Sequence, residues 1–242
     1  MKYLYLTLTL FFSLLSCAHA EKVYATFTVE ANQSANLAFS TSGTVEKVYA
    51  DIGSVVKKGD PLAKLHNDDL AALLESAKTA YKYAKRDYER QLKVKKIIDK
   101  AQLDRYASKF ELAKAQMKYQ QVLLDKTVLK APFDGVIFAK SIEAGDVVSG
   151  AMIRTVFKIQ SLHARKLILE FDQKYWNRIQ PGALFTYRID GSEKRYRGTI
   201  SKIYPVVESG SRKRKAEVPA QEFPVGLFGD GTIQTDQTDT KK

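Results

Sequence analysis

The stretch that decides the fold is "GTVEKVYADIGSVV", residues 43–56, because the chain repeats its pattern as "GVIFAKSIEAGDVV", residues 135–148. In both stretches a second glycine follows the first by ten positions and precedes a polar residue and two valines. Short runs of β-branched residues between glycines are typical of short strands joined by tight turns. The repetition predicts two halves of one small β-domain, with structural turns at five glycines: Gly43, Gly53, Gly59, Gly135 and Gly145.

Residues 68–126, between the two halves, contain no glycine and no proline, and this composition favours helix. Apolar residues recur there in alternating steps of four and three, which is the spacing of a coiled-coil seam. The seam positions are Leu70, Leu74, Ala77, Tyr81, Ala84 and Tyr88, and then Leu103, Tyr106, Phe110, Ala113, Met117, Gln120 and Leu124. The pattern slips near residues 93–100, where Asp99 and Gln102 have the spacing of a capping box. We therefore predict an antiparallel hairpin with its turn near residues 96–99, in preference to one continuous helix.

The segments outside the repeat alternate apolar and polar residues and contain further turn signals, as β-structure does. We predict a mainly β protein with an α-helical coiled-coil hairpin, arranged as an elongated modular rod. Its predicted parts are a signal peptide (1–20), the first strands of a second β-domain (21–39), the two halves of the divided β-domain (40–67 and 127–160), the helical hairpin (68–126), the rest of the second β-domain (161–235) and a disordered tail (236–242).

The N-terminus has the pattern of a bacterial secretory signal. One early lysine precedes a short apolar run, and Ala18 and Ala20 form the A-x-A pattern that signal peptidase recognises. Cleavage after Ala20 would leave no cysteine in the mature chain, and so neither disulfides nor thiol chemistry. The alternative is lipidation at Cys17, since "LLSC" resembles a lipobox.

The net charge of +12 requires an anionic partner to be considered. Nucleic acid fits poorly, because the chain is predicted to be exported and its charge is spread out. An anionic membrane surface or an acidic face of a partner protein fits better.

Two clusters of basic residues stand out in the sequence. The first predicted helix carries a basic stripe from Lys78 to Lys96, which is either a solvated helix face or a surface that steers the tip. The run Arg212, Lys213 and Arg214 is either a contact with lipid, a transporter or a ring neighbour, or an exposed turn.

Nothing in the sequence indicates an enzyme, a cofactor or a metal site. The three histidines are far apart and lack the spacing of metal ligands, and no G-x-S-x-G or phosphate-binding loop is present. A lipoyl or biotinyl carrier is the rival binding module. It needs a modifiable lysine at the tip of the β-domain, where this chain instead inserts its helices.

Together, "SGTVEKVYADIGSVVKKGDPLAKL", the helical hairpin and "LKAPFDGVIFAKSIEAGDVV" resemble the membrane fusion proteins. These are the periplasmic adaptor subunits of Gram-negative tripartite efflux pumps of the resistance-nodulation-division type. The stretch "APFDG", residues 131–135, is a particularly specific part of the likeness. The later stretches "IQPGALFTYRIDG" and "FPVGLFGDG" resemble the β-barrel domain of the same family. The resemblance implies that the divided β-domain (40–67 and 127–160) is a split lipoyl-like domain and that the second β-domain (21–39 and 161–235) is a β-barrel domain.

The resemblance implies a homo-oligomeric ring, expected to be a hexamer, that joins an inner-membrane transporter to an outer-membrane channel. It places the protein in the periplasm at the inner membrane. The cargo it implies is small molecules such as drugs, bile salts and toxic compounds, with metal-ion efflux or type I protein secretion as alternatives. Longer members of this family continue after the β-barrel domain into a membrane-proximal domain. In this chain that domain is expected to be absent or vestigial.

The same resemblance implies that the hairpin tip contacts the channel. Many members carry an arginine, a leucine four residues later and a serine seven residues after that. Tyr88, Leu92 and Asp99 occupy these positions here, so only the leucine matches in identity. Together with Lys96, they are the predicted channel contact.

Overall fold

A computed structural model describes residues 21–94, 99–207, 210–220 and 223–235. The predicted signal peptide, Lys96 and the tail at 236–242 lie outside these residues. In the described part of the chain, no helix is both long enough and apolar enough to cross a membrane. The chain forms two compact units: one combines the residues up to Asn32 with those from His163 onward, and the other is Gln33–Leu162.

The elements of the described residues, in chain order, are β1 (Glu21–Ala31), β2 (Ser34–Leu37), β3 (Gly43–Val48), β4 (Val55–Val56), β5 (Pro61–Leu65), α1 (Asp68–Lys93), α2 (Lys100–Asp125), β6 (Val128–Lys130), β7 (Gly135–Lys140), β8 (Val147–Val148), β9 (Phe157–Ser161), β10 (Arg165–Asp172), a 3₁₀ helix (Gln173–Tyr175), β11 (Leu184–Ile189), β12 (Arg195–Thr199), β13 (Lys202–Val207), β14 (Lys213–Ala220) and β15 (Phe228–Thr235). Mainly β structure with one helical hairpin confirms the predicted fold class.

The two halves of the sequence repeat interlock in the Gln33–Leu162 unit. Its two four-stranded sheets have the orders β2-β9-β7-β4 and β6-β5-β3-β8, so the last strand of each half completes the sheet of the other. Equivalent hydrogen bonds join the halves: the Gly53 N–H donates to the Ile137 carbonyl at 2.8 Å, and the Gly145 N–H donates to the Val45 carbonyl at 2.9 Å. Neither half can therefore complete its sheet without the other.

The five glycines predicted as turns fall into two groups. Gly53, Gly59 and Gly145 have φ of 87°, 91° and 94°, a left-handed conformation that glycine adopts without steric cost. For Gly43 and Gly135 the prediction is wrong, because they begin strands β3 and β7. A Cβ on Gly135 would lie 2.3 Å from a backbone carbonyl oxygen of β9, so this glycine permits close approach of two strands.

The helices α1 and α2 are 26 residues each, which corresponds to a length of about 39 Å. All the predicted seam positions are partly or fully buried, and Leu74 and Ala77 are the most buried of them. The seven-residue spacing thus identified the faces along which the two helices pack.

The other unit is a seven-stranded sheet in the order β12-β11-β15-β1-β10-β14-β13. It curls so strongly that a Cβ on Gly198 of β12 would lie 2.5 Å from Val218 of β14. Its core includes Phe27, Leu167, Leu169, Phe171, Phe185, Val218 and Ile233. The predicted boundary at residue 39 is too late, because β2 pairs with β9 of the Gln33–Leu162 unit.

Candidate functional site

The root of the hairpin is fixed by a buried threonine. The side-chain amide of Asn67, just before α1, donates to Thr127 Oγ1 at 2.9 Å, and that hydroxyl donates to the Leu124 carbonyl at 2.6 Å. The Thr127 carbonyl also accepts a 2.8 Å bond from the Leu65 N–H of β5. Because Thr127 is 2% exposed, these bonds are shielded from water and tie the start of α1, the end of α2 and the sheet together.

Aromatic packing rigidifies the seam above the root. The Phe110 ring of α2 contacts two rings of α1, Tyr81 with centroids 5.6 Å apart and Tyr88 with centroids 5.5 Å apart. The Tyr88 and Phe110 rings are nearly parallel, at 14°. Tyr88 was predicted to contact a channel, but its ring is partly buried within the hairpin. The Tyr88 ring therefore helps to hold the two helices together.

The tip is less tightly packed than the seam. Leu92, in the last turn of α1, is 37% exposed, and Val94 just beyond it is 45% exposed. Asp99 precedes α2 with the extended backbone of an N-cap residue, and its carbonyl accepts from the N–H groups of Gln102 and Leu103 at 3.1 Å. The capping-box prediction is wrong in one respect, because the Asp99 side chain makes no capping hydrogen bond.

A second apolar stripe runs along the outside of α2. Leu112 is 72% exposed, Tyr119 is 57% exposed and Val122 is 43% exposed. Positions seven and three residues apart lie on one helix face, so these side chains form a continuous strip. On α1, Leu73 and Tyr83 are also exposed, at 52% and 50%. The hairpin therefore has apolar surface on its outside as well as in its seam, which sequence periodicity alone did not single out.

Part of the basic stripe on α1 is paired within its own helix. Lys78 lies 2.7 Å from Glu75, Arg90 lies 2.7 Å from Asp87, and the Arg86 guanidinium sits 4.8 Å from the centre of the Tyr83 ring. Exposed pairs of this kind contribute little to stability. The ion pairs offset part of the charge that the stripe presents, but this part of α1 still carries more cations than carboxylates, so both interpretations of the stripe stay predictions.

The Arg212–Arg214 run lies at the start of β14. Arg214 is structural: its Nη1 donates to the Trp176 carbonyl at 2.9 Å and its Nη2 to the Tyr204 carbonyl at 3.2 Å. Its partly buried guanidinium thus joins the segment at Trp176 to β13 within its own unit, so Arg214 has a structural role, and a partner contact at this side chain stays a prediction. Lys213 pairs with Glu170 at 3.2 Å and remains exposed.

An ion cluster joins equivalent positions of the two repeat halves. Lys140 Nζ lies 2.7 Å from Glu143 and 3.4 Å from Asp51, and these two acids occupy matching places in the repeat. The hydrogen bond to Glu143 raises the pKa of Lys140. A hydrogen bond from the Ile52 N–H, helped by the Lys140 charge, holds the pKa of Asp51 below its ordinary value. Among the described residues, no group of three or more His, Cys, Asp or Glu side chains could hold a metal ion.

The interlocked repeat and its inserted hairpin match a known family. A family model described as "CzcB-like, barrel-sandwich hybrid domain" matches residues 33–160, more than half of the chain. The chain belongs to this CzcB-like family. The matched residues coincide with the Gln33–Leu162 unit to within two residues at its C-terminal end.

Two curated proteins are similar to this chain in sequence. They are the cobalt-zinc-cadmium resistance protein CzcB of Cupriavidus metallidurans and the cation efflux system protein CzcB of an Alcaligenes species. Each is 27% identical over 209 residues and is matched by 77% of this chain. The chain spans about 40% of the length of these relatives.

Solved structures share the fold of this CzcB-like chain. A MacA–MexA chimeric protein carrying the Pseudomonas aeruginosa MexA α-hairpin domain has a TM-score of 0.80 at 20% identity, and covers 89% of this chain and 79% of its own. The membrane fusion protein Spr0693 from Streptococcus pneumoniae has a TM-score of 0.70 at 17% identity, and covers 88% of this chain and 98% of its own. At sequence identities of 20% and 17%, the similarity shows a shared fold and no more.

Proposed function

We propose that the chain is a non-enzymatic adaptor of an efflux assembly, which holds an inner-membrane transporter and an outer-membrane channel together across the periplasm. The observation that carries the proposal is the hairpin of two 26-residue helices inserted between the interlocked halves of a CzcB-like barrel-sandwich domain. A stiff arm of this kind suits a contact at a distance from the rest of its unit. An enzyme would instead need catalytic groups in a cleft.

The outer stripe of α2 supports side-by-side packing of hairpins in a homo-oligomer. Leu112 and Tyr119 are more than half exposed in the single chain, and burying such side chains against a neighbouring copy would be favourable. The seam is already filled by the contacts of Phe110, so the apolar surface left for a neighbour lies on the outside of the hairpin, and the outer stripe of α2 includes its most exposed leucine. A closed ring, expected to be a hexamer, would let every copy use the same stripe.

The tip supports contact with the channel through apolar side chains. Leu92 and Val94 are exposed near the far end of the arm, and Leu92 is the position at which this chain keeps the residue common in the family. Removal of one exposed leucine costs the isolated hairpin little, since most exposed positions change stability by less than about 0.5 kcal/mol. Leu92→Ser should therefore abolish efflux without unfolding the protein.

The cargo that we propose is divalent transition-metal cations. Two relatives at 27% identity are named for resistance to cobalt, zinc and cadmium and for cation efflux. These names favour the metal alternative over drugs and bile salts. Export of small organic molecules is then an alternative outcome of the same test.

The test compares a strain lacking this chain with strains complemented by the wild type, by Leu92→Ser or by Lys78→Ser, an exposed control near the hairpin root. Growth and cell-associated metal are measured at rising zinc, cobalt and cadmium, and growth is measured in parallel with bile salts and with dyes. We expect the deletion and Leu92→Ser to accumulate metal and the control to resemble wild type. Sensitivity to bile salts or dyes without metal accumulation would refute the metal cargo, and no phenotype on any compound would refute the efflux role.

A further inference from the structure

One end of the seven-stranded sheet gathers three segments that are distant in sequence. The 3₁₀ segment with Trp176 after it, strand β13 and the start of β14 are held together by the two Arg214 hydrogen bonds to Trp176 and Tyr204. A further bond runs from the Gln173 N–H to the Arg212 carbonyl at 3.0 Å. These contacts fix the backbones of all three segments relative to one another.

This end presents large apolar side chains to solvent. Trp176 is 64% exposed and Val206 is 74% exposed, whereas the adjacent Ile179 is 2% exposed and anchors the segment in the core. Trp176 is the one tryptophan in the sequence. Its backbone is bonded to Arg214, so the indole is presented by a fixed segment without being part of the core.

Cations surround these apolar side chains. Lys174, Arg178, Arg212 and Lys213 are all exposed and lie on the joined segments. Lys174 lies 3.9 Å from Asp172, and Glu170 lies 3.2 Å from Lys213 and 3.7 Å from Lys215. Asp172 and Glu170 thus contact three lysines, and Arg212 adds a further cation, so the described residues named here carry more cations than carboxylates.

We propose that Trp176, Val206, Arg212 and Lys213, the Trp176 surface, bind the headgroup region of a bilayer that contains anionic lipid. An indole suits the membrane–water interface because its apolar ring can enter the acyl boundary while its N–H stays hydrated. Arginine and lysine beside it can reach phosphate groups while their aliphatic stems cover apolar surface. The excess of positive charge matches an anionic lipid surface.

The inference goes beyond the adaptor proposal, because lipid binding needs neither a transporter nor a channel. It assigns a membrane contact to the protein in addition to any anchor at its N-terminus. It also explains why a tryptophan and a valine stay exposed beside a cationic turn that three hydrogen bonds hold in place.

The single tryptophan allows a direct test with the protein free of its leader. Trp176 emission and co-sedimentation are measured with vesicles of pure phosphatidylcholine and of phosphatidylcholine with phosphatidylglycerol. We expect a blue shift and binding with the anionic vesicles, both weakened by salt. Each cation near an anionic surface contributes roughly a fivefold factor in binding, so Arg212→Gln with Lys213→Gln should weaken binding by about 25-fold.

Two controls separate this surface from a general effect of positive charge. Arg195→Gln with Arg197→Gln removes the same charge from exposed positions on β12 and should bind as wild type does. Trp176→Ala, followed by sedimentation, should bind more weakly at unchanged net charge. Equal losses in both double variants, or unchanged binding by Trp176→Ala, would overturn the proposal. Absence of binding to any vesicle would also overturn it and leave the surface to a protein partner, without bearing on the adaptor role.

Discussion

Replacing Phe110 by alanine should destabilise the hairpin and leave the seven-stranded unit unchanged. Truncation of a fully buried phenylalanine costs about 3–5 kcal/mol, and Phe110 is only partly buried, so roughly half of that applies. Its ring also contacts Tyr81 and Tyr88, and aromatic pairs contribute about 0.5–1.5 kcal/mol each beyond buried area. Since these contributions overlap, we expect a loss of about 2–3 kcal/mol.

Two spectroscopic signals report on the two units separately. Both long helices lie in the Gln33–Leu162 unit, so circular dichroism at 222 nm follows mainly the hairpin. Fluorescence of Trp176 follows the other unit. With a urea dependence of about 2 kcal/mol per molar, Phe110→Ala should lower the midpoint of the dichroism transition by roughly 1 M and leave the fluorescence midpoint unchanged.

Leu112→Ala is the matched control, because Leu112 is on the same helix but 72% exposed. Alanine and leucine have similar helix propensity, so we expect a change below about 0.5 kcal/mol. The reasoning fails if Phe110→Ala also stays within that limit, or if the two substitutions cost the same. An equal shift of both signals would show that the units unfold together, which would contradict independent stability.

Three further predictions concern the Gln33–Leu162 unit and are measured by urea denaturation. Thr127→Val removes the hydroxyl that joins Asn67 to the end of α2 and should cost about 1–2 kcal/mol, whereas equal stability would show that the root bonds are dispensable. Gly135→Ala places a methyl 2.3 Å from a carbonyl of β9 and should cost about 2 kcal/mol or more, while the control Gly210→Ala in the other unit, which meets nothing within 4 Å, should be nearly neutral there. The pKa of Asp51 is lowered on folding, so its stabilisation is full above the ordinary value of 3.8 and is lost as the pH falls through the lower folded value. The stability difference between wild type and Asp51→Asn should therefore shrink on acidification, and a constant difference down to acid pH would argue against the ionised carboxylate as its source.

The sequence predicts the periodic parts of this fold well, because burial leaves a regular trace along the chain. Alternate steps of four and three marked Leu74, Ala77 and Phe110 as seam positions, and all three are buried or partly buried. The repeat at residues 43–56 and 135–148 predicted one divided β-domain, because each half carries strands that need partners.

Features that depend on contacts distant in sequence were not predictable in this way. Nothing in the run Arg212–Arg214 indicates that the Arg214 guanidinium donates to the carbonyls of Trp176 and Tyr204. Gly135 has the sequence context of a turn, yet the approach of β9 gives it a different role. The pairing of β2 with β9 likewise lies outside any local pattern, and it moves the boundary between the units.

The most direct test of the adaptor role is photo-cross-linking in living cells from defined positions on the hairpin. Benzoylphenylalanine is placed at Leu92, near the tip, or at Leu112, on the outer stripe of α2. We predict that Leu92 gives a light-dependent adduct with a channel protein of the outer membrane, identified by mass spectrometry, and that Leu112 gives an adduct between two copies of the chain. Failure of Leu92 to capture an outer-membrane protein, in cells whose efflux remains normal, would contradict the assignment of the hairpin tip as the channel contact.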